Sequence, residues 1–228
     1  MANNFKNAVL RNISADSNLP TVIYAVPDTK KAIAIELDVS NKSSSGVTVS
    51  VQMEDESQNE TKNQTGTVIA DNAHTISAIA TDTTGVFTTT SSAVHNVIVN
   101  DRVLFNVSSA PSFTDASLPP SAETALSVLR FYYVQSIPTT STFTIAETRS
   151  ASDPLSFDNA GATVTFKKIH LADIVKDAPV PVGGALKVIA GQKVVLESAA
   201  ASANDKLYAY TSGAASVDVI ASVLEDVS

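Results

Sequence analysis

The sequence predicts an all-β protein with little helix, on three observations. The chain of 228 residues draws its apolar share from Val, Ile and Ala set among many Ser and Thr, with only 6% aromatic residues and no Trp. Branched side chains of this kind suit a pleated, half-buried surface. Short apolar runs alternate with polar residues at a period of two, and Gly, Pro, Asn and Asp interrupt them every few residues. No longer period points to a solenoid or a coiled coil.

The first strong run is AIAIELDVS from Ala32, which predicts a strand with Ile33, Ile35, Leu37 and Val39 on one face and Glu36 and Asp38 on the other. After the turn NKSSSG, Val47, Val49, Val51 and Met53 repeat the pattern, so the two runs read as a hairpin. The acidic stretch EDESQNETKNQTG follows, and it lacks the ligand spacing of an EF-hand Ca2+ loop. It reads as a solvated loop or a domain junction.

From there to Phe166 the composition changes. No lysine occurs between Asn63 and Phe166, where only Arg102, Arg130 and Arg149 face Asp71, Asp82, Asp101, Asp115, Glu123, Glu147, Asp153 and Asp158. The block predicts one domain, residues 64–166, inserted into another made of residues 1–60 and 167–228. Its runs VFTTTSSAV, RVLFNV, LRFYYVQSI, TFTIAET and ATVTFKK are again strand-like, while Pro119 and Pro120 break regular structure before SAETALSV. That last segment predicts a turn or two of helix capped by Ser121.

Beyond the block, IHLADIVKD, ALKVIAG, KVVLES, KLYAY and VDVIASVLE complete the strands. Pro179 and Pro181 cannot donate to a ladder, which places their segment at an edge or a bend.

Charge and composition exclude several functions. A net charge of -8 and a pI near 4.8 argue against a grip on nucleic acid or anionic lipid. No run approaches the roughly 20 apolar residues that span a bilayer, and MANNFKNAVLRNIS lacks a continuous apolar signal core, so synthesis in the cytoplasm is expected. There is no cysteine for a disulfide, a thiolate nucleophile or a zinc site. The three histidines, His74, His95 and His170, form no ligand pair. No Gly-x-Ser-x-Gly elbow, Walker string or dinucleotide fingerprint is present.

One string occurs twice: VNDRVLFNV from Val99 and ANDKLYAY from Ala203. Asn tolerates a left-handed backbone and Asp fastens nearby amides, so Asn100-Asp101 and Asn204-Asp205 read as turns that open strands.

The outer segments resemble a family of small tailed-bacteriophage virion proteins of the marine and cyanophage kind. The resemblance lies in FKNAVLRNIS, TVIYAVP, KKAIAIELDVSN and VTVSVQ, then in IVKDAPVPVGGALKVIAGQKVVLE, DKLYAYTS and SVDVIASVLE. The middle block is similar to a second phage module, in HNVIVNDRVLFNV, FYYVQSI, STFTIAET and LSFDNAGATVTF. Where both patterns usually carry Gly-Asp, this chain has Asn100-Asp101 and Asn204-Asp205.

The resemblance implies a β-sandwich, jelly-roll or immunoglobulin-like, built from both chain ends and interrupted by a small β domain. It implies a non-enzymatic part of a virion's exterior, at the tail, neck or baseplate or as a capsid decoration. It brings no catalytic motif, metal or cofactor, and its partners would be copies of itself, as a trimer or ring, and other virion proteins.

Two other functions compete with this expectation. A host-surface glycan adhesin needs exposed rings, for which Phe131, Tyr132 and Tyr133 are the candidates. A polysaccharide hydrolase needs two carboxylates about 5 to 9.5 Å apart, drawn from Asp101, Asp115, Glu123, Asp153 and Asp158.

Overall fold

The computed structural model describes residues 4–56, 74–82, 84–90, 95, 97–114, 123–200, 203–213 and 216–226. They form an almost wholly β protein that divides into two compact units, Met1–Gln58 with His170–Ser228, and Asn59–Ile169.

The first unit holds β1 (Asn4–Leu10), β2 (Thr21–Ala25), β3 (Lys31–Asn41) and β4 (Val47–Glu54) from the start of the chain. The second holds β5 (His74–Ile79), β6 (Phe87–Thr89), β7 (Arg102–Ser109), β8 (Tyr132–Thr139), β9 (Thr142–Ala146) and β10 (Ala162–Ile169). The chain then returns to the first unit with β11 (Leu171–Val180), β12 (Ala185–Ala200), β13 (Ala203–Asn204), β14 (Lys206–Thr211) and β15 (Val217–Glu225).

In the first unit, one sheet runs β1-β15-β3-β12-β13 and the other β11-β4-β14-β2. Their inward residues make a single core, with Leu37, Val39, Val219 and Val223 from one sheet and Val49, Val51, Leu207 and Ala209 from the other. This is sandwich packing, with alternate residues of each strand supplying the layer between the sheets.

Two expectations for this unit fail. β3 and β4 are not a hairpin, because they lie in different sheets. The five-residue link between them crosses the sandwich, and the Asn41 side chain fastens the corner by donating to the Ser45, Val180 and Pro181 carbonyls at 2.9, 3.0 and 3.2 Å and accepting from the Ser43 amide.

The inward face of β3 also begins differently. Ala32 and Ala34 are buried, whereas Ile33 and Ile35 are half-buried, and the core face passes to Leu37 and Val39. The cause is a bulge, for Ala34 pairs with Val223 and Glu36 with Ser222, leaving Ile35 as the extra residue. One inserted residue moves the following side chains to the opposite face.

β11 forms an edge, with Pro179 opposite Thr48 on its only paired side, as the prolines require.

The second unit closes into a barrel in the order β10-β5-β6-β9-β8-β7. Its core is aromatic. The Phe87 ring lies 5.2 Å from Phe105, 5.3 Å from Phe143 and 5.2 Å from Phe157, centroid to centroid. Offset and edge-on rings at such spacings are favourable beyond their buried area. β10 continues through Lys167 and Lys168, paired with Leu104 and Val103, so these lysines belong to the barrel and not to the outer domain as their composition suggests.

No helix forms over Glu123–Val128. Instead Ala125 bridges Ser112, and the Leu126 amide donates to the Pro111 carbonyl at 2.9 Å. Ser121, the Pro119-Pro120 pair and the acidic stretch from residue 57 lie outside the described residues.

Candidate interaction surface

β1 reads NFKNAVL and obeys strand alternation. Ala8 and Leu10 pack on the sandwich core, and Lys6 meets Glu225 at 2.7 Å. Phe5, Asn7 and Val9 therefore take the opposite, outward face, where Phe5 is 72% and Val9 55% exposed.

The register carries this apolar character across the sheet. Phe5 pairs with Leu224, Leu224 with Ile33, and Ile33 with Val195, so four apolar residues form one row over four strands. Val9 pairs with Ile220 in a second row, and both are exposed. Between the rows Ser222 donates through Oγ to Asn7 Oδ1 at 3.1 Å.

β1 is also an edge, paired only with β15, and its seven residues run in unbroken register from Asn4 opposite Glu225 to Leu10 opposite Val219. Edges normally carry proline, bulges or outward charge that block pairing with other chains. The other edges do so here. β11 has Pro179 and two register breaks, β12 has breaks at Lys187/Ile189 and Ala190/Val194, β13 has two residues, and β2 is short with one break. β1 has none of these features, and its one cation points inward to Glu225.

Asn100 does occupy the left-handed region, with φ of 74°, in a turn where the Asp101 amide donates to the Ile98 carbonyl at 3.0 Å. The Asp101 carboxylate accepts from the Ile98 amide at 2.7 Å and pairs with Lys168 at 2.8 Å.

Asn204 is different, because it sits in β13 without a positive φ. Its neighbour Asp205 is buried and fastens two segments, accepting from the Glu56 amide at 2.9 Å and the Glu197 amide at 2.8 Å. Burial, the largest effect, pushes the Asp205 carboxyl up despite these two donors, which pull it down. The repeated string is therefore a turn once and a tie between segments once.

Phe131, Tyr132 and Tyr133 are 2%, 0% and 6% exposed, so they offer no open ring to a glycan. Tyr132 belongs to the barrel core and accepts from the Ser127 amide at 2.9 Å. The Arg102 and Arg149 guanidiniums each lie 5.4 Å from the Tyr133 ring centre, and Arg102 is 5.9 Å from that of Phe131. Sequence reasoning took these aromatics as candidates because type alone does not reveal which rings a barrel encloses.

The described acidic candidates each have a partner. Glu123 pairs at 3.2 Å with buried Arg130, which also holds Glu147 at 2.7 Å, Asp158 accepts from Ser112 Oγ, and Asp153 accepts from Ser152 Oγ at 2.8 Å. Asp115 lies outside the described residues. His95 is buried, bonded through Nε2 to the Thr142 carbonyl at 3.0 Å and edge-on to Phe143.

Among the described residues no group of three or more His, Asp and Glu side chains is placed to hold a metal ion. A groove of about 130 Å³ opens where β5 and β10 share only two paired positions, lined by Ile76, Ser77, Gly161 and Thr163. It is well below the roughly 300 Å³ at which small-molecule sites begin.

The chain matches no protein-family model and no curated protein.

Proposed function

We propose that the protein is a non-enzymatic subunit of a tailed-bacteriophage particle, working on the particle's exterior through contacts between subunits. The observation that carries this reading is β1: an edge strand free of proline and bulges that bears Phe5 and Val9 in the open. An assembly protein puts its chemistry in strand edges and faces of this kind, where backbone pairing supplies affinity and outward side chains supply register. The resemblance of both chain ends to small virion proteins gives the same direction.

The adhesin reading has lost its three rings to the barrel interior and to the guanidiniums beside them. Of the carboxylates the hydrolase reading would draw on, Glu123 is tied to buried Arg130 and Asp101 to Lys168.

Mass spectrometry of purified particles tests the proposal. The chain is expected among the multi-copy virion proteins, and particles devoid of it would overturn the reading.

A further inference from the structure

We propose that β1 is a self-association edge: two copies join β1 to β1, antiparallel about a two-fold axis at Asn7, and merge their five-stranded sheets into one. This rests on the reading of the protein as an assembly subunit, and it names that subunit's partner as a second copy of the chain.

The sequence of β1 is complementary to itself about Asn7. An antiparallel pair centred there sets Phe5 against Val9, Lys6 against Ala8, and Asn4 against Leu10, with Asn7 facing its own symmetry mate. Both outward apolar residues thus meet each other, forming an aromatic and β-branched cross-strand pair on each side of the axis. The apolar row Val195, Ile33, Leu224 and Phe5 then continues into Val9 and Ile220 of the second copy.

Charge permits the same pairing. The chain carries a net charge of -8, which opposes self-association in general. Yet β1 contains no acidic residue, and its one cation is already matched by Glu225 at 2.7 Å. In the proposed register Lys6 faces Ala8 and not another lysine, so no like charges meet across the axis. The remaining edges of this unit are shortened, bulged or interrupted by proline, which leaves β1 as the edge that accepts a long unbroken strand.

The absence of cysteine makes the register testable. Antiparallel partners directly opposite lie about 4.5 to 5.5 Å apart at Cα, inside the range that a disulfide bridges. Asn7→Cys alone should therefore give a covalent dimer under mild oxidation. Phe5→Cys alone should not, because the two copies of residue 5 lie roughly 14 Å apart along the strands. An equimolar mixture of Phe5→Cys and Val9→Cys should cross-link as a heterodimer.

Val9→Lys, at an exposed site, should reduce Asn7→Cys cross-linking at least tenfold with an unchanged circular-dichroism spectrum. If that variant misfolds, the contrast between Asn7→Cys and Phe5→Cys decides alone. Equal cross-linking at positions 5 and 7, or none at 7, overturns the proposal. Particles that contain the chain while Asn7→Cys stays monomeric would remove this interface and retain the virion reading.

Discussion

Asp205 Oδ1 accepts the Glu56 amide at 2.9 Å, a bond between residues 149 positions apart. Its other oxygen holds the Glu197 amide at 2.8 Å, so one buried carboxylate joins the end of the first chain segment to β12 and β14. Asp205→Ala leaves two amides without this acceptor and should cost about 2 to 6 kcal/mol, taking about 1–3 for each donor. Asp205→Asn keeps one acceptor oxygen and should cost about half as much. Urea unfolding checks both, with a lower midpoint and an unchanged slope expected.

Two aspartates should titrate in opposite directions. Lys42, 2.8 Å away, and the Asn12 amide hold the Asp218 carboxyl below the ordinary range. Its contribution to stability is present above the unfolded value of about 3.9 and is lost as pH falls through the lower folded value. Burial raises Asp205, so its contribution is present below that unfolded value and is lost as pH rises through the folded one. Carbon-13 titration of the carboxyl groups should place the Asp218 midpoint below that of Asp205. Lys42→Met should move Asp218 upward and leave Asp205 in place.

Three of the five tyrosines should stay silent in alkali until the protein unfolds. Burial raises Tyr24, Tyr132 and Tyr208 above the ordinary phenol range, and Tyr208 also donates to buried Glu54 at 2.5 Å. For an acid raised on folding, stability is present below the unfolded value near 10 and is lost as pH rises further. Phenolate absorbance from these three, isolated by difference against their Phe variants, should rise only with loss of the β signal. Ionisation of all three with the fold intact would refute the assignment.

Two glycines separate strain from collision. A Cβ at Gly85, where φ is 56°, would lie 1.8 Å from the Leu155 carbonyl oxygen, whereas one at Gly191, where φ is 77°, meets nothing within 4 Å. Gly191→Ala should cost only the left-handed backbone term of about 1–2 kcal/mol. Gly85→Ala must also displace backbone and should cost clearly more. Thermal unfolding of the two variants gives the order directly, and equal losses would contradict the close approach at Leu155.

The all-β class was legible because Val, Ile and Thr alternate in run after run, and the gap in lysine lay within a few residues of the joints at 58 and 169. The neighbours of each strand were not. Alternation in β3 and β4 looks the same whether the two pair with each other or face each other across a core. The bulge at Ile35 leaves no mark in composition, so the sequence could not show that Ala32 and Ala34 face inward ahead of it.

The candidate surface was hidden for a similar reason. The sequence assigned no strand over residues 4–10, and topology alone places β1 at an edge with Lys6 against Glu225 and Phe5 and Val9 outward. Residue type suggested a left-handed backbone at both Asn100 and Asn204, yet only Asn100 adopts it; Asn204 lies in β13, its side chain bonded to Ser198 and Asp28.

The claim that this protein works by assembling is tested most directly by native mass spectrometry of the purified chain across a range of concentrations. The account predicts species at whole multiples of 23.7 kDa that grow with concentration. A single species at 23.7 kDa throughout would contradict it.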